Sequence, residues 1–256
     1  MTIACLIFAT VLPMLNPDGV PIDNGILSPA AIVAWRALST VLDKDTSFSA
    51  TVAVTIEGVT DKDFLPSKEE FVYVRNSGWQ RFELDAAKVS ISLDPEELAT
   101  LTRLQLLKAI EIMSVGKNTN WIIYPQVKAY IDDTLEIPGL EGQFDLPKIE
   151  KEKIGDEIVE GHKCVKYKVR VHCFMGDLDG TRWEADDLRA LPIKTIIAED
   201  KVTFTTVLKD VKFAVPPQGV FTVPKGYKRY TSEGFFKYVE QATLKEQQEK
   251  ANQKPK

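Results

Sequence analysis

The sequence predicts an α+β fold in which about ten antiparallel strands form one sheet, with helices packed against it. Short segments of alternating apolar and polar residues recur along most of the chain, and two longer segments have helical spacing. Strands and helices do not alternate as a parallel sheet requires. With 256 residues, 44% of them hydrophobic and 27% charged, the chain can bury a large core in one β-rich domain.

A first helix is predicted over residues 29–43. Ser28 supplies an N-cap, and Pro29 fits the first helical position. Apolar residues then recur with helical spacing: Ile32, Val33, Trp35, Leu38, Val41 and Leu42. The most regular strand follows over residues 47–57. Its apolar face carries Phe48, Ala50, Val52, Val54 and Ile56.

Strands are next predicted over residues 69–75, 79–85 and 88–93, and a second helix follows them. Asp94 and Pro95 form a strong helix start, because an acidic cap and a first-turn proline both favour one. This helix is predicted to extend to Met113. Its apolar residues are Leu98, Leu101, Leu104, Leu107 and Ile110.

The remainder of the chain returns to a strand pattern. Strands are predicted over residues 120–124, 127–134, 148–159, 162–175, 181–185, 192–199 and 202–213. From Ser232 we expect a short helix that gives way to a charged, disordered tail. The predicted organisation is a signal segment and linker over residues 1–27, a folded domain over 28–231 and the helix and tail over 232–256.

The N-terminal segment allows two interpretations. Residues 3–15 are almost wholly apolar, but about 13 residues are too few to span a hydrocarbon core of about 30 Å, so no stable transmembrane segment is expected. The length suits a secretory signal, which predicts a periplasmic or otherwise exported protein. However, no Lys or Arg precedes Ile3, and no clean cleavage site follows. The alternative is a buried N-terminal segment in a cytoplasmic protein.

Composition and motifs exclude several functional classes. The formal net charge is −5, and the chain has no sustained basic run, so nucleic acid is not expected as a partner. There is no nucleophile elbow, HExxH, CxxC, phosphate loop or GxGxxG. We therefore expect no catalytic residues, no cofactor and no metal. An enzyme remains a residual alternative.

One predicted strand separates the residues that could otherwise bind metal or form a disulfide. At about 3.3 Å per residue, His162 and His172 lie roughly 33 Å apart in a continuous strand. Cys164 and Cys173 lie about 30 Å apart on opposite faces, beyond disulfide reach. Two unpaired thiols are unusual in an exported protein and count against export.

Three acidic clusters are candidates for a catalytic or metal-binding site. The pairs Asp132-Asp133 and Asp186-Asp187 are interpreted as solvated edge or turn residues, because neighbouring strand residues point to opposite faces. Asp177, Asp179 and Gly180 resemble the start of a calcium loop, but later ligand positions hold Trp183 and Ala185. A hairpin turn is the favoured interpretation of that segment.

A series of short motifs resembles the LolA-like superfamily of bacterial envelope proteins. It covers about residues 28–230, and the combined order is more specific than any single motif. In sequence order the matching residues are Gly78, Trp79 and Arg81; Gly116, Trp121, Tyr124, Pro125, Lys128 and Tyr130; Gly161, His162, Cys164 and Tyr167; Trp183, Asp187, Leu188, Leu191, Pro192 and Lys194; and Phe221, Pro224, Gly226 and Tyr227.

The resemblance implies an unclosed antiparallel β half-barrel with helices on its concave face. It also implies a binding protein that holds a lipid or an acylated protein in a hydrophobic cavity. The expected cavity residues are Val52, Val54, Ile56, Val169 and Val171 from the sheet, with Leu104, Leu107 and Ile110 on a helical lid. The alternative is an accessory envelope protein of the same fold that contacts an envelope protein partner and binds no ligand.

Overall fold

The computed structural model describes residues 47–58, 68–88, 95–114, 117–133, 148–173, 176–199, 202–217 and 219–252. The predicted segment 1–27 and helix 29–43 lie outside these residues, as do residues 89–93 of the predicted fourth strand. Lys88 ends a short 3₁₀ turn, Ala86–Lys88.

Within the described residues, twelve strands form one unclosed sheet, where about ten were predicted. They are β1 (Phe48–Glu57), β2 (Lys68–Asn76), β3 (Trp79–Asp85), β4 (Lys108–Ser114), β5 (Thr119–Tyr124), β6 (Ala129–Asp133), β7 (Lys148–Val159), β8 (His162–Cys173), β9 (Gly176–Ala185), β10 (Leu191–Glu199), β11 (Val202–Lys212) and β12 (Lys228–Tyr230). The spatial order is β12-β6-β5-β4-β3-β2-β1-β11-β10-β9-β8-β7. All pairs are antiparallel except β12 with β6. The predicted fold class is confirmed.

The predicted helix over 95–113 is wrong after residue 103. Helix α1 spans Pro95–Arg103, and Gln105 then takes a left-handed conformation with φ 58°. The amide of Leu106 donates to the carbonyl of Leu101, which is the bond that closes a helix at its C-terminus. Strand β4 follows, so Ile110 lies on a strand. Leu104 and Leu107 lie in the turn between α1 and β4.

Two smaller differences concern the ends of elements. Strand β9 begins at Gly176, so Asp177 and Asp179 lie within a strand rather than in a hairpin turn. Helix α2 spans Ser232–Asn252, 21 residues, and is longer than the short helix predicted. The division of the chain into three parts stays a prediction.

The two faces of the sheet are covered differently. Residues paired across antiparallel strands share a face, so the register places Val52, Phe71 and Phe82 on one side. We call this the helix face, because α1 and α2 pack on it at the β4–β6 end, where Tyr124 stacks on Phe235 with ring centroids 4.7 Å apart. The opposite face, which we call the strap face, is crossed by residues 213–217 and 219–227, which we call the strap.

Candidate functional site

A groove of about 530 Å³ lies between the strap and the strap face. This volume is within the usual range for small-molecule sites. Its floor consists of side chains from five adjacent strands: Ser49, Val74, Arg81, Glu83, Ile110 and Ile123. The strap supplies the cover: Ala214, Val215, Pro216, Pro217, Gly219, Val220, Thr222, Pro224 and Tyr227.

The C-terminal half of the strap is held to the sheet by specific contacts. The Arg81 Nη1 donates to the carbonyl oxygen of Val220 at 3.0 Å. The rings of Trp79 and Phe221 lie 6.2 Å apart, and the Tyr227 hydroxyl donates to the Pro125 carbonyl at 3.4 Å. The N-terminal half is more open, since Val215 is 79% exposed. The groove is therefore most accessible at its β1 end.

The two charged side chains of the floor pair with each other. Arg81 Nε donates to Glu83 Oε1 at 2.9 Å, and its Nη2 lies 2.8 Å from the same oxygen. In the strap, the Thr222 hydroxyl donates to the Gly219 carbonyl. With these groups paired, the groove offers mainly apolar surface from Val74, Ile110 and Ile123 together with the strap prolines. Such a lining binds apolar groups by removing them from water.

An aromatic cluster adjoins the C-terminal half of the strap. Trp79 lies 6.0 Å from Trp121 between ring centroids, and the Lys117 ammonium lies over the Trp79 ring. The Trp121 indole donates to Asp132, which also pairs with Arg229 of β12 at 2.9 Å. These contacts tie the strap to the β6 and β12 edge of the sheet.

The structure places the predicted sheet residues of the cavity in two separate buried clusters. Val52, Val54 and Ile56 lie on β1 in the largest cluster. Val169 and Val171 lie on β8 in another. Both groups are on the helix face, but β11, β10 and β9 lie between them. Their role in ligand binding stays a prediction.

The predicted lid residues also separate. Leu104 and Leu107 pack against a third cluster, with α1 and α2 on the helix face. Ile110 lies on the strap face and lines the groove. One of the eight predicted binding residues therefore contributes to the groove, although from a strand rather than a helix.

The helix face also buries two carboxyl groups without hydrogen-bond partners for all their oxygens. Glu69 on β2 and Glu111 on β4 are fully buried, and both oxygens of Glu69 and Oε1 of Glu111 have no hydrogen-bond partner among the described residues. Burial raises the pKa of Glu111 to about 8, against a hydrogen bond from Asn120 that lowers it. Burial, and then the charge of Glu111, raise the pKa of Glu69. Both groups therefore favour the protonated form.

A third buried carboxyl group on this face is paired with cations. Glu184 on β9 accepts two hydrogen bonds from the Lys151 ammonium, at 2.9 and 3.0 Å. Arg182, which is 1% exposed, places its Nε 2.9 Å from Oε1 of the same carboxylate. Two cations thus stabilise one buried charge across β7, β8 and β9.

The histidines and cysteines remain separate, as the continuous strand β8 requires. His162 pairs with Asp187, and His172 pairs with Asp177, with ring-to-carboxylate distances of 2.8 and 2.7 Å. Cys164 is a free, buried thiol, and the Cys173 side chain is outside the described residues. Within the described ranges, no three His, Cys, Asp or Glu side chains are grouped so that they could bind a metal.

Sequence reasoning did not identify the groove. Its cover is the irregular segment after β11, whose Phe221, Pro224 and Tyr227 belong to the last motif of the family resemblance but do not by themselves indicate a groove. A signal was present in the dipeptide Pro216-Pro217, which cannot continue a central strand. In the part of the chain that the structure describes, neither helix is long and apolar enough to cross a membrane.

No family model matches this chain. No curated protein matches it either. Similar solved structures include LprF from Mycobacterium bovis, 13% identical, covering 78% of this chain and 97% of that one with a TM-score of 0.41. LppX, a lipoprotein from Mycobacterium tuberculosis, is 9% identical over 73% and 97% of the two chains, with a TM-score of 0.38.

A LolA superfamily protein from Nitrosomonas europaea is 11% identical over 75% of this chain and 97% of that one, with a TM-score of 0.32. The topology itself gives the architecture, a single unclosed sheet whose described helices pack on one face. This is the architecture that the sequence motifs imply. The fold of the chain is an α+β unclosed half-barrel.

Proposed function

We propose that this protein is an envelope binding protein that holds the apolar part of a lipid or an acylated protein. The observation that carries the proposal is the groove beneath the strap. It combines a volume suited to a small-molecule ligand with an apolar floor and paired polar groups. The proposal includes no catalytic step, since the groove residues provide no nucleophile paired with a base.

The proposal also places the protein outside the cytoplasm. Its support is the apolar segment 3–15 and the resemblance of the motifs to envelope proteins. Fractionation of cells that express the full chain tests this. Recovery in the periplasmic or membrane fraction supports the placement, and recovery with cytoplasmic markers contradicts it.

A matched pair of variants tests whether the groove retains lipid. Val74 and Val72 lie on the same strand and on the same face, but only Val74 lines the groove. Val72 is 41% exposed. The full-length protein and the variants Val74→Asn and Val72→Asn should be purified from envelope fractions and examined by native mass spectrometry and lipid extraction. We expect lipid in the wild type and Val72→Asn, and much less in Val74→Asn.

Two outcomes contradict groove binding. The first is a wild-type protein that carries no lipid. The second is equal lipid content in the two variants, which would mean that the ligand binds elsewhere. Urea unfolding of both variants controls for loss of the fold, since the amide at position 74 is partly buried.

The accessory-protein alternative has one specific observation in its favour. Strand β7 is an edge of the sheet, is mostly exposed, and presents Ile154 and Ile158 with 51% and 76% exposure. Such an edge can pair with a strand of another protein. However, β7 carries alternating charges and a bulge between Lys153 and Gly155, both of which discourage strand addition.

The variant Ile158→Lys separates the two functions. If strand addition is the function, this change should abolish a complex that is recovered by crosslinking in the envelope. If lipid binding is the function, Ile158→Lys should leave the lipid content unchanged.

A further inference from the structure

The groove is elongated and runs across the strands. Its floor residues come from five consecutive strands of the sheet, β1 to β5. Four inter-strand steps of about 4.8 Å give a length of roughly 19 Å. A fully extended polypeptide main chain advances roughly 1.2 Å per covalent bond, and an extended alkyl chain has similar geometry. The length of the groove therefore corresponds to about 16 bonds.

The groove offers few hydrogen-bond partners to an occupant. Strands β1 to β5 each have two neighbours, so the backbone groups of the floor are used in the sheet. Arg81 and Glu83 are paired, and Pro216 and Pro217 have no N–H to donate. A peptide in this groove would leave its own amides unsatisfied, whereas an alkyl chain has no such requirement.

The β1 end of the groove is polar, and one lysine lies beside it. Ser49 lines the groove and pairs across the sheet with Lys212, the last residue of β11 before the strap. Lys212 is exposed and forms no ion pair among the described residues. A negatively charged head group at this end would complement the Lys212 ammonium, and the head group would remain in contact with water.

We propose that the groove binds a fatty carboxylate, with the alkyl chain across β2 to β5 and the carboxylate beside Ser49 and Lys212. This inference rests on the proposed function and narrows its ligand to one chain with an anionic head group. The head group remains at the open β1 end, and the chain passes under the part of the strap that Arg81 holds.

The test is the affinity of the delipidated, full-length protein for a series of saturated fatty carboxylates of increasing length. Each added methylene should raise affinity roughly fourfold, the equivalent of about 0.8 kcal/mol, until the chain reaches about 16 carbons. Beyond that length the gain should cease, because further methylenes extend past β5. An affinity that is independent of chain length overturns the inference.

Lys212→Gln tests the head group. It should weaken carboxylate binding roughly two- to fivefold and leave the affinity for a fatty alcohol of equal length unchanged. Lys225→Gln is the matched control, because Lys225 follows Pro224 at the far end of the groove. A loss with Lys225→Gln but not with Lys212→Gln contradicts the orientation.

The same measurements separate this inference from the broader function. If the protein retains diacyl lipid or an acylated peptide but does not bind fatty carboxylates, the inference fails and the proposed function stands. If neither class binds, both fail. Tighter binding of an extended apolar peptide than of any carboxylate also contradicts the inference.

Discussion

Buried carboxyl groups occur at two places on the helix face, and the cost of burying them is offset differently at each place. On β9, Glu184 lies between two cations, Lys151 and Arg182. On β2 and β4, Glu69 and Glu111 have no cation among the interactions that set their pKa values, and burial raises both. A buried carboxyl group is stabilised either by paired cations or by retaining its proton. The contribution of the first region to stability should depend on the ion pair, and that of the second region should depend on pH.

Removing the cation from the paired region should give the largest effect. Arg182→Leu leaves Glu184 with only the half-exposed Lys151, and we expect a loss of about 3–5 kcal/mol in the free energy of unfolding. Urea unfolding near neutral pH measures it. Arg170→Leu, which removes an exposed partner of Asp179, is the control and should change little. Stability equal to that of the wild type would show that the ion pair contributes nothing.

The double variant Arg182→Leu with Glu184→Leu refines this result. With both charges removed, no buried charge is left unpaired, so much of the lost stability should return. If the double variant is as unstable as the single one, lost packing around Arg182 explains the effect, and not the charge.

The unpaired region should make stability depend on pH. Because the pKa of Glu111 in the folded protein is raised from 4.5 to about 8, the folded state binds more protons than the unfolded state between these values. The free energy of unfolding should therefore be greatest below about pH 4.5 for this group and fall as pH rises through about 8, by up to roughly 1.4 kcal/mol per pH unit.

Glu111→Gln tests this dependence. The amide resembles the protonated carboxyl group and cannot ionise, so the variant should match the wild type near pH 5 and exceed it by a few kcal/mol near pH 9. Urea unfolding at several pH values measures both proteins. Glu152→Gln, at an exposed position on β7, is the control. Identical pH profiles for the wild type and Glu111→Gln would contradict a proton-bearing Glu111.

The smallest expected effect concerns Thr195, which lies between the two regions. Its hydroxyl oxygen is buried on β10 and has no hydrogen-bond partner in the part of the chain that the structure describes. Thr195→Val keeps the shape and removes the unsatisfied group, so we expect no loss, or a gain of up to about 1 kcal/mol. Thr195→Ala removes the hydroxyl and also a methyl group, and serves as the comparison. Thermal unfolding should rank Val above Ala, and a clear loss with Val would show that the hydroxyl is satisfied.

The prediction of the sheet succeeded because period-2 alternation is a local property. Strands β1 and β8 were recognised almost to the residue, since each has a buried face that alternates with a polar one. The same reasoning failed at residues 104–113. There, leucines and an isoleucine at intervals of three continued the helical spacing of α1, while Ile110, Glu111 and Ile112 equally fit a strand. A left-handed turn at Gln105 decided between them.

The groove could not be predicted, because it depends on where an irregular segment is placed. The sequence of the strap shows prolines and an aromatic motif, but not that Arg81 holds Val220 over the sheet, 139 residues away in the chain. The cavity predicted on the apolar face followed from patterning alone. Patterning identifies which side chains leave water, but it cannot separate a packed core from a ligand site.

The sequence by itself therefore determined the class of fold, most strand boundaries, the alternating faces of β1 and β8 and the separation of the histidines along β8. These follow from local periodicity and fixed strand geometry. Tertiary structure decided the end of α1, the position of the strap and the pairing of buried carboxyl groups. The position of the strap and the pairing of the carboxyl groups depend on contacts between residues distant in the chain, such as Arg81 with Val220 or Lys151 with Glu184, whose energies are set by burial and distance rather than by local pattern.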